Sequence, residues 1–367
     1  LFNNDRFTLS TQDMSVPNQT SSRSSPSDAF DSDPTAEERK SDHIRLAFDS
    51  QITGDKIDPR FSYEPLLSAH PQPGSLAPTN FAGFSLAVPM WVSSMTGGTE
   101  KAQVINRNLA RACNEFGFGM GLGSCRPLLY SNDRFADFDM RPLIGEKQPL
   151  FANLGIAQLE TLVTDKEMWR VEKMLELLKA DGLIIHVNPL QEWLQPEGDR
   201  FLLPPLETIE TVLDQLNVPI IVKEVGQGMG IASLKALLQL PLAAVEFAAG
   251  GGTNFSKLEL LRADPVQQVI YDSLTNIGHS AAEMVQLVNQ AKKELRGGLR
   301  CTDVIISGGV KNFLDGYYLR SKCELNSVYG QASGFLKYAT GDYEPLQSFV
   351  TSQVRGLELA EAFLKVR

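Results

Sequence analysis

The chain has 367 residues, 43% of them hydrophobic, and a formal net charge of −10. That is enough apolar material for one large domain or two ordinary ones, and a single α/β barrel with insertions fits the length. The negative balance repels polyanions and argues against a nucleic-acid partner. No run approaches the roughly 18 to 20 apolar residues of a membrane helix, and the basic-then-apolar pattern of a signal peptide is missing from the start. The expectation is a soluble, cytoplasmic protein without a membrane partner.

Residues 1–34 are rich in Ser, Asn, Asp, Pro and Thr, a composition that buries too little surface to offset ordering entropy, so they read as a disordered tail. The chain opens on Leu1, Met14 is an alternative start, and part of the tail reads as a cloning or translation artefact. Residues 35–85 read as an N-terminal extension packing on the rest, and 86–367 as the main domain. Arg39-Lys40 precede Ile44, Ala47 and Phe48, the start of a short helix outside that domain; alone, such a pair is more often a solvated charged face. The thiols Cys113, Cys125, Cys301 and Cys323 form no C-x-x-C unit and read as reduced, neither a disulfide framework nor a zinc site.

From residue 86 short apolar runs alternate with helical patterns. The expected strands are 88–93, 118–123, 149–153, 183–188, 219–223, 243–248, 303–307 and 326–330. Between them apolar residues recur at three-and-four spacing, as in Ala102, Ile105, Leu109, Ala112 and Phe116, then Leu206, Ile209, Val212 or Leu213 and Leu216. Doubly buried strands alternating with helices describe a single-domain (β/α)8 TIM barrel, with an open doubly wound sheet as the alternative. A C-terminal helix over roughly 345–365 reads either as the last barrel helix or as part of a subunit contact.

In such a barrel the active site gathers at the C-terminal strand ends, and polar residues and glycines follow the apolar runs. The first strand leads into Ser93-Ser94-Met95-Thr96, the second into Ser124-Cys125-Arg126, and the third ends in Asn153. The fourth carries His186 through Glu192, the fifth ends in Lys223-Glu224, and the sixth leads into Gly250-Gly251-Gly252-Thr253. The last two run into Ser307-Gly308-Gly309 and Gly330-Gln331-Ala332. Bare glycine backbone lets N–H groups approach a phosphate, with Ser307 or Thr253 adding a hydroxyl, although ordinary barrel corners also use glycine. Lys223 closes an apolar strand, where an ammonium needs an anionic or electron-rich neighbour; a structural Lys–Glu pair inside the barrel mouth, for instance with Glu224, is the alternative. A diphosphate would need cations, which Arg126 and His186 could add to Arg39 and Lys40. Glu192 is a single carboxylate, which suffices for a Mg2+ that also binds substrate phosphates.

Segments 39–44 (RKSDHI), 94–98 (SMTGG), 121–126 (GLGSCR), 186–192 (HVNPLQE), 195–199 (QPEGD), 223–228 (KEVGQG), 251–253 (GGT) and 307–309 (SGG) resemble, in order, the motifs of type 2 isopentenyl diphosphate isomerases. The resemblance covers about residues 37 to 335, and H-x-N-x-x-Q-E with the early R-K is its specific part. It implies the barrel fold and FMN, reduced by NADPH or another reductant. FMN would be held at Met95, Thr96, Ser124, Asn153, Lys223, Thr253, Gly309, Val310, Lys311, Gly330, Gln331 and Ala332. It further implies a small-molecule diphosphate substrate at Arg39, Lys40, Arg126, His186, Asn188 and Gln191, with Gln191 and His186 in catalytic roles. Glu192 would hold Mg2+, and the assembly would be a homo-oligomer, tetrameric or larger. The implied reaction moves a double bond, converting isopentenyl to dimethylallyl diphosphate, with reduced FMN as acid and base. The sequence departs from the family at Gly309-Val310-Lys311 (usually GIR), Asn276 to Ser280 (usually WGIPT) and Gly252 to Phe255 (usually GTSW). A barrel oxidase of the 2-hydroxy acid type and a non-catalytic flavin-binding barrel are the competing readings.

Overall fold

The computed structural model describes residues 35–94 and 97–367; the expected tail over 1–34 lies outside them. The described residues fall into two compact units that divide after Asp58. The first carries the helix Ala36–Leu46, in which no residue is buried.

The second unit is built on eight parallel strands: β1 (Met90–Val92), β2 (Gly119–Gly121), β3 (Leu150–Gly155), β4 (Gly182–His186), β5 (Ile220–Lys223), β6 (Ala244–Glu246), β7 (Asp303–Ser307) and β8 (Asn326–Gln331). They close into a barrel in sequence order, with β8 pairing β1. All eight coincide with the apolar runs of the sequence, and the closed sheet decides against the open alternative. Each strand is apolar on both faces because alternate residues serve different cores. Met120, Leu150, Ala152, Leu183, Ile185, Val222, Val245, Val304 and Ile306 meet the surrounding helices. Trp91, Phe151, Ile184, Ile221, Ala244, Ile305 and Val328 fill the barrel interior.

That interior layer is shaped by two large rings and the glycines that admit them. A Cβ on Gly119 would lie 2.4 Å from the Trp91 ring, and one on Gly182 would lie 2.5 Å from Phe151. Below them a hairpin, Thr79–Phe81 with Phe84–Leu86, closes the N-terminal end of the barrel. Its two-residue turn, Ala82-Gly83, has positive φ at both positions (49° and 86°), the backbone that a tight hairpin of this twist demands. The Ala82 N–H donates to the Asp303 carboxylate at 2.7 Å, pinning the turn to the start of β7. Phe81 is fully buried and stands 5.9 Å from the Trp91 ring centroid.

The expected C-terminal helix spans Glu344–Phe363 and packs on the helices Phe313–Lys322 and Glu100–Phe116, so it is the last helix of the barrel ring. The chain then pairs Leu364–Val366 antiparallel with Phe61–Tyr63. All four cysteines are free thiols, and burial pushes the Cys125 thiol up to about 12. Among the described residues no helix is long and apolar enough to cross a membrane. Phe81→Ala should empty the base of the barrel and lower stability by about 3–5 kcal/mol, read as a shift of the urea-unfolding midpoint at unchanged slope.

Candidate functional site

Two residues beyond each member of the apolar interior layer, the next side chain points the same way, one level nearer the C-terminal rim. At that level the sequence places Ser93, Gly121, Asn153, His186, Lys223, Glu246, Ser307 and Gly330. The register confirms the level: His186 is the cross-strand partner of Lys223, and Lys223 of Glu246. A ring of polar groups and glycines therefore sits directly on a sealed apolar floor.

On one side of this ring an open cleft is bounded by the ends of β1 and β5 to β8. Of the residues expected to hold a cofactor, Lys223, Thr253, Gly309, Val310, Gly330, Gln331 and Ala332 line it. The loops after β6 and β7 meet there backbone to backbone. Gly251, Gly308 and Gly309 have φ of 102°, 91° and 70°, and a Cβ on Gly308 would lie 2.0 Å from the Ala249 carbonyl oxygen. Only glycine fits this corner, and it leaves backbone exposed to a ligand.

Lys223 is 6% exposed, and its Nζ donates to the Glu224 carbonyl oxygen at 2.8 Å. The Glu224 carboxylate turns away and accepts the N–H groups of Gly226, Gln227 and Gly228 at 2.7, 2.5 and 3.0 Å. The alternative of a Lys223–Glu224 side-chain pair is thus not what the structure contains. Burial raises the Glu224 pKa, against the lowering effect of those amides.

His186 faces the third strand, its Nδ1 2.8 Å from Asn153 Oδ1. Because Asn153 Nδ2 donates to the Leu122 carbonyl, its oxygen is the acceptor, so His186 Nδ1 carries the proton and Nε2 keeps a lone pair. Enclosure by protein, with Lys223 adding repulsion, lowers the imidazole pKa to about 3. In the free protein at neutral pH the ring is therefore neutral.

After β4 the short helix Pro189–Leu194 gathers the remaining groups. Asn188, 2% exposed, donates through Nδ2 to Gln191 Oε1 at 3.1 Å and Glu192 Oε1 at 3.0 Å. The other Glu192 oxygen accepts the Asp199 N–H at 2.8 Å. Asp199 Oδ2 in turn accepts from Arg126 at 2.7 Å and from Gln158 Nε2 at 2.8 Å. Asn188, Gln191, Glu192 and Arg126 thus belong to one network, and Asp199, quoted in a motif but given no role, is its hub. Among the described residues no three His, Cys, Asp or Glu side chains form a metal-binding group.

Met95 and Thr96 lie outside the described residues. Arg39 and Lys40 are exposed on the helix of the first unit. Ser124 is exposed, and the Asn153 amide is taken up by His186 and Leu122. Lys311 lines an adjoining groove with Arg60 and Asp315, which shares Gly308 and Gly309 with the cleft, and its N–H donates to the Asp315 carboxylate at 2.9 Å.

No protein-family model matches the sequence. Individual relatives do. Isopentenyl-diphosphate delta-isomerase of Rickettsia africae is 35% identical over 306 residues, covering 82% of this chain and 86% of that protein. The protein of the same name from a Synechococcus species is 34% identical over 328 residues, covering 88% and 90%. The chain belongs to the isopentenyl-diphosphate delta-isomerase family. Its closed barrel agrees with the type 2 branch of these isomerases. The recombinant flavin-binding domain of baker's yeast flavocytochrome b2 shares the fold, with a TM-score of 0.52 at 14% identity over 83% of this chain and 72% of that one.

Two features of this isomerase-family site escaped the sequence reading. Glu246 is fully buried within an apolar run, the same signal that singled out Lys223. The departing segment Asn276–Ser280 forms a wall behind the loops: Gln227 Nε2 donates to the Leu274 and Ile277 carbonyls, and the Gly250 N–H to the His279 carbonyl.

The chain's four histidines make His186 accessible to proton NMR. Its Cε1–H should not titrate above about pH 5, and Lys223→Met should raise its midpoint. Since the folded pKa lies below the ordinary 6.5, the neutral ring favours the folded state. That contribution is complete above pH 6.5 and is lost as the pH falls toward about 3. His186→Gln should flatten this part of the stability profile.

Proposed function

We propose that this chain interconverts isopentenyl and dimethylallyl diphosphate in a site that holds FMN and Mg2+. The observation that carries the reading is the network after β4, in which Asn188, Gln191 and Glu192 are fixed to one another beside His186 on the polar ring. Binding a flavin alone requires none of these residues.

The cleft suits FMN on its own evidence. It offers bare backbone at Gly308 and Gly309 for a phosphate, a buried ammonium at Lys223 for the electron-rich edge of the ring, and an amide oxygen of Gln331 that is buried without a partner. The fold shared with a flavin-binding domain points the same way. Ser124, Asn153 and Lys311 stand outside the cleft lining, and Lys311 occupies the groove beside Asp315. Reduced FMN, reloaded by NADPH or another reductant, would supply the proton donor and acceptor for the shift.

The chain's own residues perform the rest. The alkene has no proton of ordinary acidity, so protonating one carbon before deprotonating another is the easier route. That route needs a dry, fixed pose. Gln191 accepts from Asn188 through Oε1, which leaves its NH2 group as the donor it would offer a ligand. Glu192 is 8% exposed and bonded only by neutral donors, so its charge remains for a Mg2+ that arrives with the diphosphate. Arg126, balanced by Asp199 in the free protein, would add positive charge. An anionic diphosphate would also lift the depressed pKa of His186 and let it donate through Nε2. A homo-oligomer is the assembly that the resemblance implies.

Anaerobic protein with reduced FMN and Mg2+ should convert isopentenyl diphosphate to its isomer. Gln191→Ala and Glu192→Ala should each lower kcat/KM by at least about 100-fold, measured by isomer release, with the far-UV spectrum unchanged. Flavin-loaded parent protein that leaves the substrate untouched would sink the proposal.

A further inference from the structure

We infer that Glu246 is the acceptor for the hydroxyl-bearing chain that joins ring to phosphate in the bound flavin. This inference rests on the flavin reading of the cleft and assigns a group that reading leaves idle.

Glu246 is 0% exposed and lines the cleft at the end of β6. Its Oε1 accepts two hydroxyls, Ser93 at 2.5 Å and Ser307 at 3.0 Å. Its Oε2 is buried with no hydrogen-bond partner. A buried carboxylate oxygen without a donor is costly, and native proteins keep such atoms where a ligand completes them. The two serines fix the rotation of the carboxylate, so the idle oxygen has one defined direction. Lys223, its neighbour across β5, does not satisfy it, since that ammonium donates to the Glu224 carbonyl.

Strand order specifies the donor. Lys223 stands on β5, Glu246 on β6, and the bare corner at Gly308 and Gly309 follows β7. A ligand whose ring reaches Lys223 and whose phosphate reaches that corner must lay its linker across β6. In FMN the linker is ribityl, a run of secondary hydroxyls, each able to donate to a carboxylate oxygen. The charge of Glu246 also repels a phosphate placed at its own position. It therefore fixes the direction of the ligand, with the phosphate beyond β7.

The test separates the linker from the rest of the flavin. Full-length protein freed of flavin is titrated with FMN and with phosphopentyl flavin, which has the same ring and phosphate but no linker hydroxyls, and binding is followed by quenching of flavin fluorescence. The parent should bind FMN about tenfold more tightly than phosphopentyl flavin. Glu246→Gln, which keeps an oxygen for Ser93 and Ser307, should weaken FMN about tenfold and leave phosphopentyl flavin unchanged; Glu246→Asp should fall between. Variants that bind FMN as the parent does, or that weaken both flavins alike, overturn the inference. A parent that binds neither flavin refutes the flavin reading itself.

Discussion

The chemistry of this barrel depends on a boundary between two layers of side chains only two residues apart along each strand. Below it, Trp91, Phe151, Ile184, Ile221, Ala244, Ile305 and Val328 form a floor that Phe81 seals from beneath. Above it stand an imidazole, an ammonium, a carboxylate and two serine hydroxyls. Without water below, each of these groups must find its partner sideways or upward. That demand explains the Asn153–His186 bond, the turn of Lys223 to a carbonyl, and the two serines on Glu246. The low local polarity strengthens such interactions and makes any unmade one expensive.

The same boundary accounts for the low pKa of His186. A ring beside a buried ammonium, over hydrocarbon, has no reason to hold a second proton until an anion arrives. The free protein thus keeps its positive charge in lysine and arginine and leaves the histidine as a responsive group. Arg126 shows the complementary arrangement: it is already matched by Asp199, so its charge is balanced within the free protein.

The eight strands were legible because a parallel barrel buries both strand faces and so leaves runs that are apolar throughout, bounded by glycine and polar residues. The glycine corner and Lys223 were legible for a similar reason, as residues whose presence at a strand end needs a cause. What escaped was the partnering. Sequence placed Glu224 next to Lys223 but could not show that its carboxylate is spent on three backbone amides. Nor could it show how closely His186 is enclosed, because that enclosure is built by other strands. Asp199 looked like loop because its partners, Arg126 and Gln158, follow different strands. Lys311 sits two residues past the corner, where the chain has already turned to Asp315.

The hairpin that carries Phe81 makes the barrel a cup rather than a pipe. Nothing passes through the bottom, so whatever reacts at the polar ring departs over the same rim by which it came.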